Sequence, residues 1–563
     1  MDGETPTIVQ GSPPRCPSMP NPPLSLGPPL LALPLAVLPL LGACTAETHE
    51  RRADRSALRI LDEGTESTLG DRWETVQYPR TRDPEPEATP PEDPAGEAPD
   101  GRSDAPAGPA SPPPERRVVT LAEALEIAVR HSRDYKTRRE GLYLEALSLA
   151  STRHGFAPQL AATLGYVFSD GDDLPAAQDV GFDASVDQIL PWGGSAGVVL
   201  SSDLDERSGP DEYSSSLSIR LTQPLLRGFG HEVSHEPLVQ AERNLVYAIR
   251  DFELFREDFS IDVARRYYDL VQQKQGIENQ RQNLEGFVFN RRQAEALFEV
   301  GRLSELDVLR ARRSELGSRN SLLAAEESYE LALDRFRIFL GLPATEALDV
   351  ASDPPSYVPV EFDVEAAIQV ALENRLDLLN RREQLEDAAR AVRISRDGLR
   401  TDLGLTVDYG LATDPDSSFT GQSRGNESVT AGLTLNLPLD RVVERNSYRS
   451  ARIAQQQAVR NFEEFRDSLV VEIASAFREL ERRRQSLDIQ AQLITDQEKN
   501  VKIAQLRFEQ GDFSNRDVVE ATEALLDAQN GLIDEQVNHE IARLELLRDL
   551  GILFIDERGM WNE

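Results

Sequence analysis

From Gln159 onward, stretches of the chain alternate apolar and polar side chains with a period of two. Leu160, Ala162, Leu164, Tyr166 and Phe168 are separated by small or polar residues, the pattern of β-strands with one dry and one wet face. The alternation returns at Leu217, Ile219 and Leu221 against Ser218, Arg220 and Thr222, at Leu405, Val407 and Tyr409, and at Leu433, Leu435 and Leu437 against Thr434 and Asn436. Such strands suit either a sandwich or a membrane barrel with a wet lumen, and alone they do not choose. Elsewhere the period is helical: Leu121, Leu125, Ala128 and Val129 mark a short amphipathic helix. Two runs with no further proline follow, from Pro237 to Phe298 and from about Val442 to Phe508, each long enough for a helix of about 90–100 Å at 1.5 Å per residue. In the second, Phe462, Phe465, Leu469, Ile473, Phe477, Leu480 and Leu487 recur every three or four residues, the stripe of helices packed lengthwise as coiled coils.

These elements repeat. "LAEALEIAVRHSRDYKTRRE" from Leu121 matches "VEAAIQVALENRLDLLNRRE" from Val364 at an offset of 243, which Tyr166 and Tyr409 keep; "FEVGRLSELDVLRA" from Phe298 matches "FEQGDFSNRDVVEA" from Phe508 at 210. The reading is therefore two equivalent units, 118–343 and 362–550, joined by a linker at 344–361 and followed by a tail at 551–563, with extra residues in the first unit between Tyr166 and Pro224. At the end of each long helix, Gly301 and Gly511 are placed to terminate it in a left-handed conformation. Ser304 and Ser514 can cap the next helix, with Asp307 and Asp517 in its first turn. Each unit thus predicts a helical hairpin with a tight tip.

Composition favours long helices over a compact enzyme: 6% of the 563 residues are aromatic and 28% charged. A net charge of −36 opposes binding to nucleic acid or to an anionic lipid surface. The only cysteines, Cys16 and Cys44, exclude a disulfide scaffold or a Cys-rich metal site. An apolar stretch at 23–41 leads to Leu41, Gly42, Ala43 and Cys44, resembling a bacterial lipobox. Residues 1–43 then read as a signal peptide and Cys44 as an acylated anchor, against a plain cleaved signal or a buried thiol. The prolines of this stretch oppose a transmembrane helix. From Thr45 to about Arg117 the chain turns polar and then Pro-, Glu- and Asp-rich, and is expected to be a disordered tether, so that 44–117 forms one lipidated, unfolded segment.

One motif points to chemistry. His231, Glu232 and His235 in "GFGHEVSHEP" have the order and spacing of a zinc peptidase site. That site requires helical backbone through both histidines. Pro237, with Gly228 and Gly230 upstream, instead places a helix start at about Glu236 or Pro237 and leaves the histidines in the lead-in turn.

The duplicated order of helix, strands and long hairpin, "LTQPLL" and "LTLNLPL" at the strand-to-helix junctions, and the Phe, Gly and Asp-Val elements of both tips together resemble the TolC-like outer membrane efflux proteins over about residues 118–550. The fold class that follows is α+β: long α-helical coiled-coil hairpins plus antiparallel β-strands, internally duplicated, with three protomers sharing a transmembrane β-barrel above a periplasmic α-helical tunnel. The resemblance implies no enzyme activity, metal or cofactor, and a lipoprotein of the outer membrane of a Gram-negative-type bacterium. Its function would be a passive exit duct of a tripartite efflux or type I secretion system. Expected partners are two further copies, a periplasmic adaptor, an inner membrane transporter of the RND or ABC class, and outer membrane lipid; nucleic acid is not among them. Val300, Gly301, Arg302, Leu303, Ser304, Gly511, Phe513 and Ser514 would form the tip turns that meet the adaptor. Asp517 and Glu520 match the acidic lining of the periplasmic mouth, although first-turn capping also accounts for Asp517. The sequence departs from the family in three places: an additional hairpin around Trp192, Gly193 and Gly194 where the usual unit has two strands, Arg302 in place of a leucine after Gly301, and Phe513 in place of a gate arginine. A lipid-anchored periplasmic coiled-coil protein without a pore is the alternative.

Overall fold

Thr120 opens the first helix of the duplicated part with a reciprocal cap: its hydroxyl accepts from Glu123 N while its own N–H donates to Glu123 Oε2 at 2.9 Å. Helix α2, Leu121–His131, follows, with Ala124, Leu125 and Ala128 buried. The computed structural model describes residues 46–69, 116–171, 174–206, 212–360, 363–413, 422–510 and 512–561. Two units are distinguished, Met1–Arg55 and Ser56–Glu563; the first enters the description only through the start of helix α1, Ala46–Leu69.

That helix corrects the expected tether over its first part. Ala57, Ile60, Leu61 and Leu69 are buried in the same apolar cluster as Leu245 and Ile249, because they recur at helical spacing on one face. The Pro-rich acidic composition starts only at about residue 81, and averaging over the whole segment concealed the stripe. Residues 70–115, like Cys44 and the proposed signal, lie outside the described residues.

After α2 come α3 (Arg133–Gly155), strands β2 (Gln159–Gly171), β3 (Leu174–Ile189), β4 (Ser195–Glu206) and β5 (Glu212–Pro224), a single turn α4 (His231–Ser234), and the long pair α5 (Glu236–Glu299) and α6 (Glu305–Leu340). The order then recurs with fewer strands: α7 (Val364–Asn374), α8 (Leu376–Asp397), β7 (Asp402–Thr413), β8 (Gln422–Asn436), α9 (Val442–Gln510) and α10 (Asn515–Asp549). Helices of 64 and 69 residues extend about 95–105 Å. Pro237 sits in the first turn of α5, where its missing N–H costs nothing.

The expected linker contains a strand, β6 (Leu348–Val350), which pairs in parallel with β1 (Arg117–Val119). Three residues carry no readable period, so this pairing had no signal in the sequence. The tail also belongs to the core: Leu553, Ile555 and Trp561 are buried. Arg256 donates to Ile555 O at 3.0 Å and Asp556 O at 2.8 Å while pairing with Glu253 at 2.7 Å. A buried guanidinium is tolerable here because both carbonyls and a carboxylate share its donors.

Each hairpin ends against the start of its own unit. Gly341, at φ 82°, closes α6 and lies against the break between α2 and α3, and Gly551, at φ 68°, closes α10 against the break between α7 and α8.

Candidate functional site

The six long strands form one antiparallel sheet in the order β2-β3-β4-β5-β7-β8. Its registers line up rows that cross all six strands. One row reads Leu160, Val186, Val198, Ile219, Tyr409 and Val429; the adjoining row reads Gln159, Asp187, Gly197, Arg220, Asp408 and Thr430. Since side chains alternate faces along a strand, one face of the sheet is mainly apolar, with Ser202 and Ser215 among its exceptions, and the other mainly small and polar. The apolar face is not covered: Leu160 is 82% exposed, Ile219 45% and Val429 70%. An apolar surface of this extent marks contact with a membrane or a partner.

The polar face is acidic where the first unit has its additional hairpin. Asp179, Asp183 and Asp187 on β3 and Asp203 on β4 all lie on it. Glycines opposite make room for two of them: a Cβ on Gly181 would come within 2.9 Å of Asp203 Oδ1, and one on Gly197 within 2.5 Å of Asp187 Oδ1. On the same face Arg220 pairs with Asp408 at 2.6 Å. These aspartates were not singled out from the sequence, although Val180, Phe182, Ala184 and Val186 alternating with Gly181, Asp183, Ser185 and Asp187 carry the same period-two signal.

The His231 motif is at the junction of β5 and α5 and does not form a metal site. The helical turn stops at Ser234, and the rings of His231 and His235 stack at 4.1 Å with an 11° interplanar angle. Glu232 pairs with Arg393. Burial, with His231 alongside, lowers the pKa of His235. Among the described residues, no group of three or more His, Cys, Asp or Glu side chains could hold a metal ion. The segment instead seats the turn between β3 and β4: Gly230 N donates to Trp192 O at 3.1 Å and Ser234 Oγ to Pro191 O at 3.0 Å.

At the far end, the two tips pack side by side. Ala294 and Ala311 from the first hairpin meet Ala504, Phe508, Val518 and Ala521 from the second, with Leu303 and Phe513 at the margin. Gly301 adopts φ 74°, and Arg302 N donates to Leu297 O at 2.8 Å, the six-residue closure of a helix ending in a left-handed residue. Asp512 N makes the corresponding bond to Arg507 O at 2.9 Å; Gly511 itself lies outside the described residues. Phe513 lies under Arg507, 5.2 Å from its guanidinium carbon, and so serves packing within the tip. Val300 is 68% exposed, and Arg302 reaches Glu509 O at 3.4 Å.

Ser304 and Ser514 cap α6 and α10 as their spacing implied. Ser304 Oγ donates to Asp307 Oδ2 at 2.6 Å, and Ser514 Oγ and N donate to Asp517 Oδ2 at 2.7 and 2.8 Å. Those two donors hold the Asp517 carboxyl below the usual carboxylate range. The tips then diverge: Arg310 pairs with Asp307 at 3.2 Å, whereas the position 210 residues later is Glu520, exposed. The second tip therefore has two acids where the first has an ion pair.

The profile of the outer membrane efflux protein family matches residues 194–342 and 367–551, together more than half of the chain. No curated protein matches. Among solved structures, the outer-membrane channel OprN aligns with a TM-score of 0.59 at 16% identity, covering 77% of this chain and 89% of its own. The outer membrane protein VceC of Vibrio cholerae gives 0.59 at 18%, covering 77% and 96%, and the CmeC outer membrane channel of Campylobacter jejuni 0.59 at 16%, covering 77% and 86%. At these identities the structures establish a shared fold; with the profile match, they place the chain in the outer membrane efflux protein family.

Proposed function

We propose that three copies of this chain form a passive efflux duct across the outer membrane and into the periplasm, fed through an adaptor by an inner membrane transporter. One observation carries the reading: a six-stranded sheet whose exposed apolar face and polar, acidic face suit lipid on one side and water on the other. The helices supply the second half of the duct. On α6, Leu309, Leu316 and Leu323 recur every seven residues and are each more than half exposed, a coiled-coil seam that the chain itself leaves unpaired and that a neighbouring copy suits. The exposed tip residue Val300, with the turns at 300–304 and 513–514, suits adaptor contact. Purified protein in mild detergent should weigh as a trimer and conduct ions in planar bilayers; a non-conducting monomer would return the reading to a lipid-anchored scaffold.

The mouth of this duct is assigned to the second tip. Asp517 is engaged by Ser514, so Glu520 is the acid available to face the opening, and three copies would gather these carboxylates into a ring that attracts cations. Glu520→Gln should weaken cation selectivity and block by multivalent cations in single-channel records, while Asp307→Ala in the first tip should leave both unchanged. Selectivity identical in Glu520→Gln and the parent would remove the assignment.

Cys44 is proposed as the acyl anchor. Radioactive palmitate should label the protein, and Cys44→Ser should lose the label and accumulate precursor; continued labelling of that variant would refute the lipobox.

A further inference from the structure

We infer that the additional hairpin β3–β4 is a full part of the barrel wall, so that the assembled barrel has eighteen strands. The inference rests on the trimeric reading above and concerns what that trimer looks like in the membrane.

The hairpin stands in the middle of the sheet, not at its edge. β2 pairs with β3 and β5 with β4, and the β3–β4 ladder runs from Ile189 opposite Ser195 to Gln178 opposite Glu206. A hairpin folded away from the wall would strip the facing edges of β2 and β5 of the partners they have here, and because lipid cannot satisfy bare backbone donors and acceptors those two strands would have to re-pair with each other. The two-faced pattern also passes through the hairpin in its central rows. Val186 and Val198 continue the apolar row from Leu160 to Ile219, while Asp187 and Gly197 continue the polar one.

The inner end of the hairpin is fixed as well. Its turn is held by Leu190 N to Gly194 O at 2.8 Å and Gly193 N to Leu190 O at 3.0 Å, and is docked on the β5–α5 junction through the contacts of Gly230 and Ser234. Gln223 Nε2 adds a bond to Trp192 O at 3.1 Å. Gly193 is at φ 87°, and a Cβ there would lie 2.2 Å from Gly228 O, so turn and junction approach at backbone distance. The "GFGHEVSH" stretch, which resembles a metal motif, is thus the seat of this hairpin.

Closure follows from strand direction. Every neighbouring pair in the sheet is antiparallel, so with six strands β8 runs opposite to β2, and the free edge of β8 can pair antiparallel with the free edge of β2 in the next copy. Six strands closing on themselves would leave no lumen, since about eight already fill theirs with side chains. Three copies give eighteen strands, against twelve for two strands per repeat. With about 4.8 Å between strands tilted by about 40°, the backbone diameter becomes about 36 Å in place of about 24 Å.

Cryo-electron microscopy of the full-length protein in lipid nanodiscs tests this directly, with eighteen strands and a ring of the larger diameter as the expected result. A trimer with a twelve-strand ring and the hairpin outside it would overturn the inference and leave the duct standing; a particle with no trimeric barrel would overturn the functional reading itself. An independent test uses Ser201→Cys and Leu200→Cys, neighbours on opposite faces of β4, with a charged, membrane-impermeant thiol reagent applied to protein in vesicles. Labelling of Ser201→Cys with protection of Leu200→Cys is expected. Equal labelling of both, or protection of both, would overturn the placement of the hairpin in the wall.

Discussion

Arginine in place of Ile219 should keep this protein out of the outer membrane, while arginine in place of Ser218, one residue away, should not. Ile219 lies in the middle of β5 on the apolar face, between Val198 and Tyr409, and Ser218 lies on the polar face between Val199 and Gly410. A guanidinium on the lipid face of a barrel costs about 2–4 kcal/mol near the bilayer midplane, and the proposed trimer would repeat that cost in each protomer. The polar face already carries Arg220 paired with Asp408 at 2.6 Å, so charge there is compatible with the fold. The expected readout is loss of the Ile219→Arg protein from outer membrane fractions and of its heat-modifiable trimer, with Ser218→Arg recovered as trimer. If both variants assembled equally well, the apolar face would not be the lipid face.

The second large effect concerns the base of the first helical hairpin. Gly341→Ala should destabilise the fold by about 3 kcal/mol, combining the left-handed backbone penalty with overpacking. At φ 82°, its new Cβ would lie 2.1 Å from His131 O and 2.4 Å from His131 C. Those atoms are backbone and cannot rotate aside, and moving them would pull α2 off the core that Leu125 and Ala128 fill. Gly317, in the interior of α6, is the control, because a Cβ there would meet no atom within 4 Å. Gly317→Ala should be neutral or stabilise by up to about 1 kcal/mol. Thermal unfolding of the purified protein measures both. A Gly341→Ala variant that melts with the parent would mean that the α2–α3 break yields, and that this contact does not hold the hairpin to its base.

Much of this architecture was legible because its signals are long and local. Sixty-residue proline-free runs, period-two alternation at Leu217–Leu221 or Leu433–Leu437, and the Gly-x-x-Ser spacing at both tips each need only a few neighbouring residues to be read. What misled was averaging. The helical stripe of Ala57, Ile60 and Leu61 vanished into an acidic, Pro-rich segment, whereas the histidine motif did not mislead, because Pro237 and the glycines before it already placed it in the lead-in turn.

The sequence by itself determined the elements and their two faces: which residues of each strand are dry, where each long helix starts and stops, and that both tips carry a serine–aspartate cap. These are set by dihedral preference and side-chain periodicity within a few turns. Only the tertiary structure decided what those elements meet. It placed β3–β4 inside the sheet, paired β1 with β6 across more than two hundred residues, and brought the tail under Arg256. The physical reason is that hydrogen-bond register and close backbone approach depend on partners distant in the chain, and no local pattern encodes a partner.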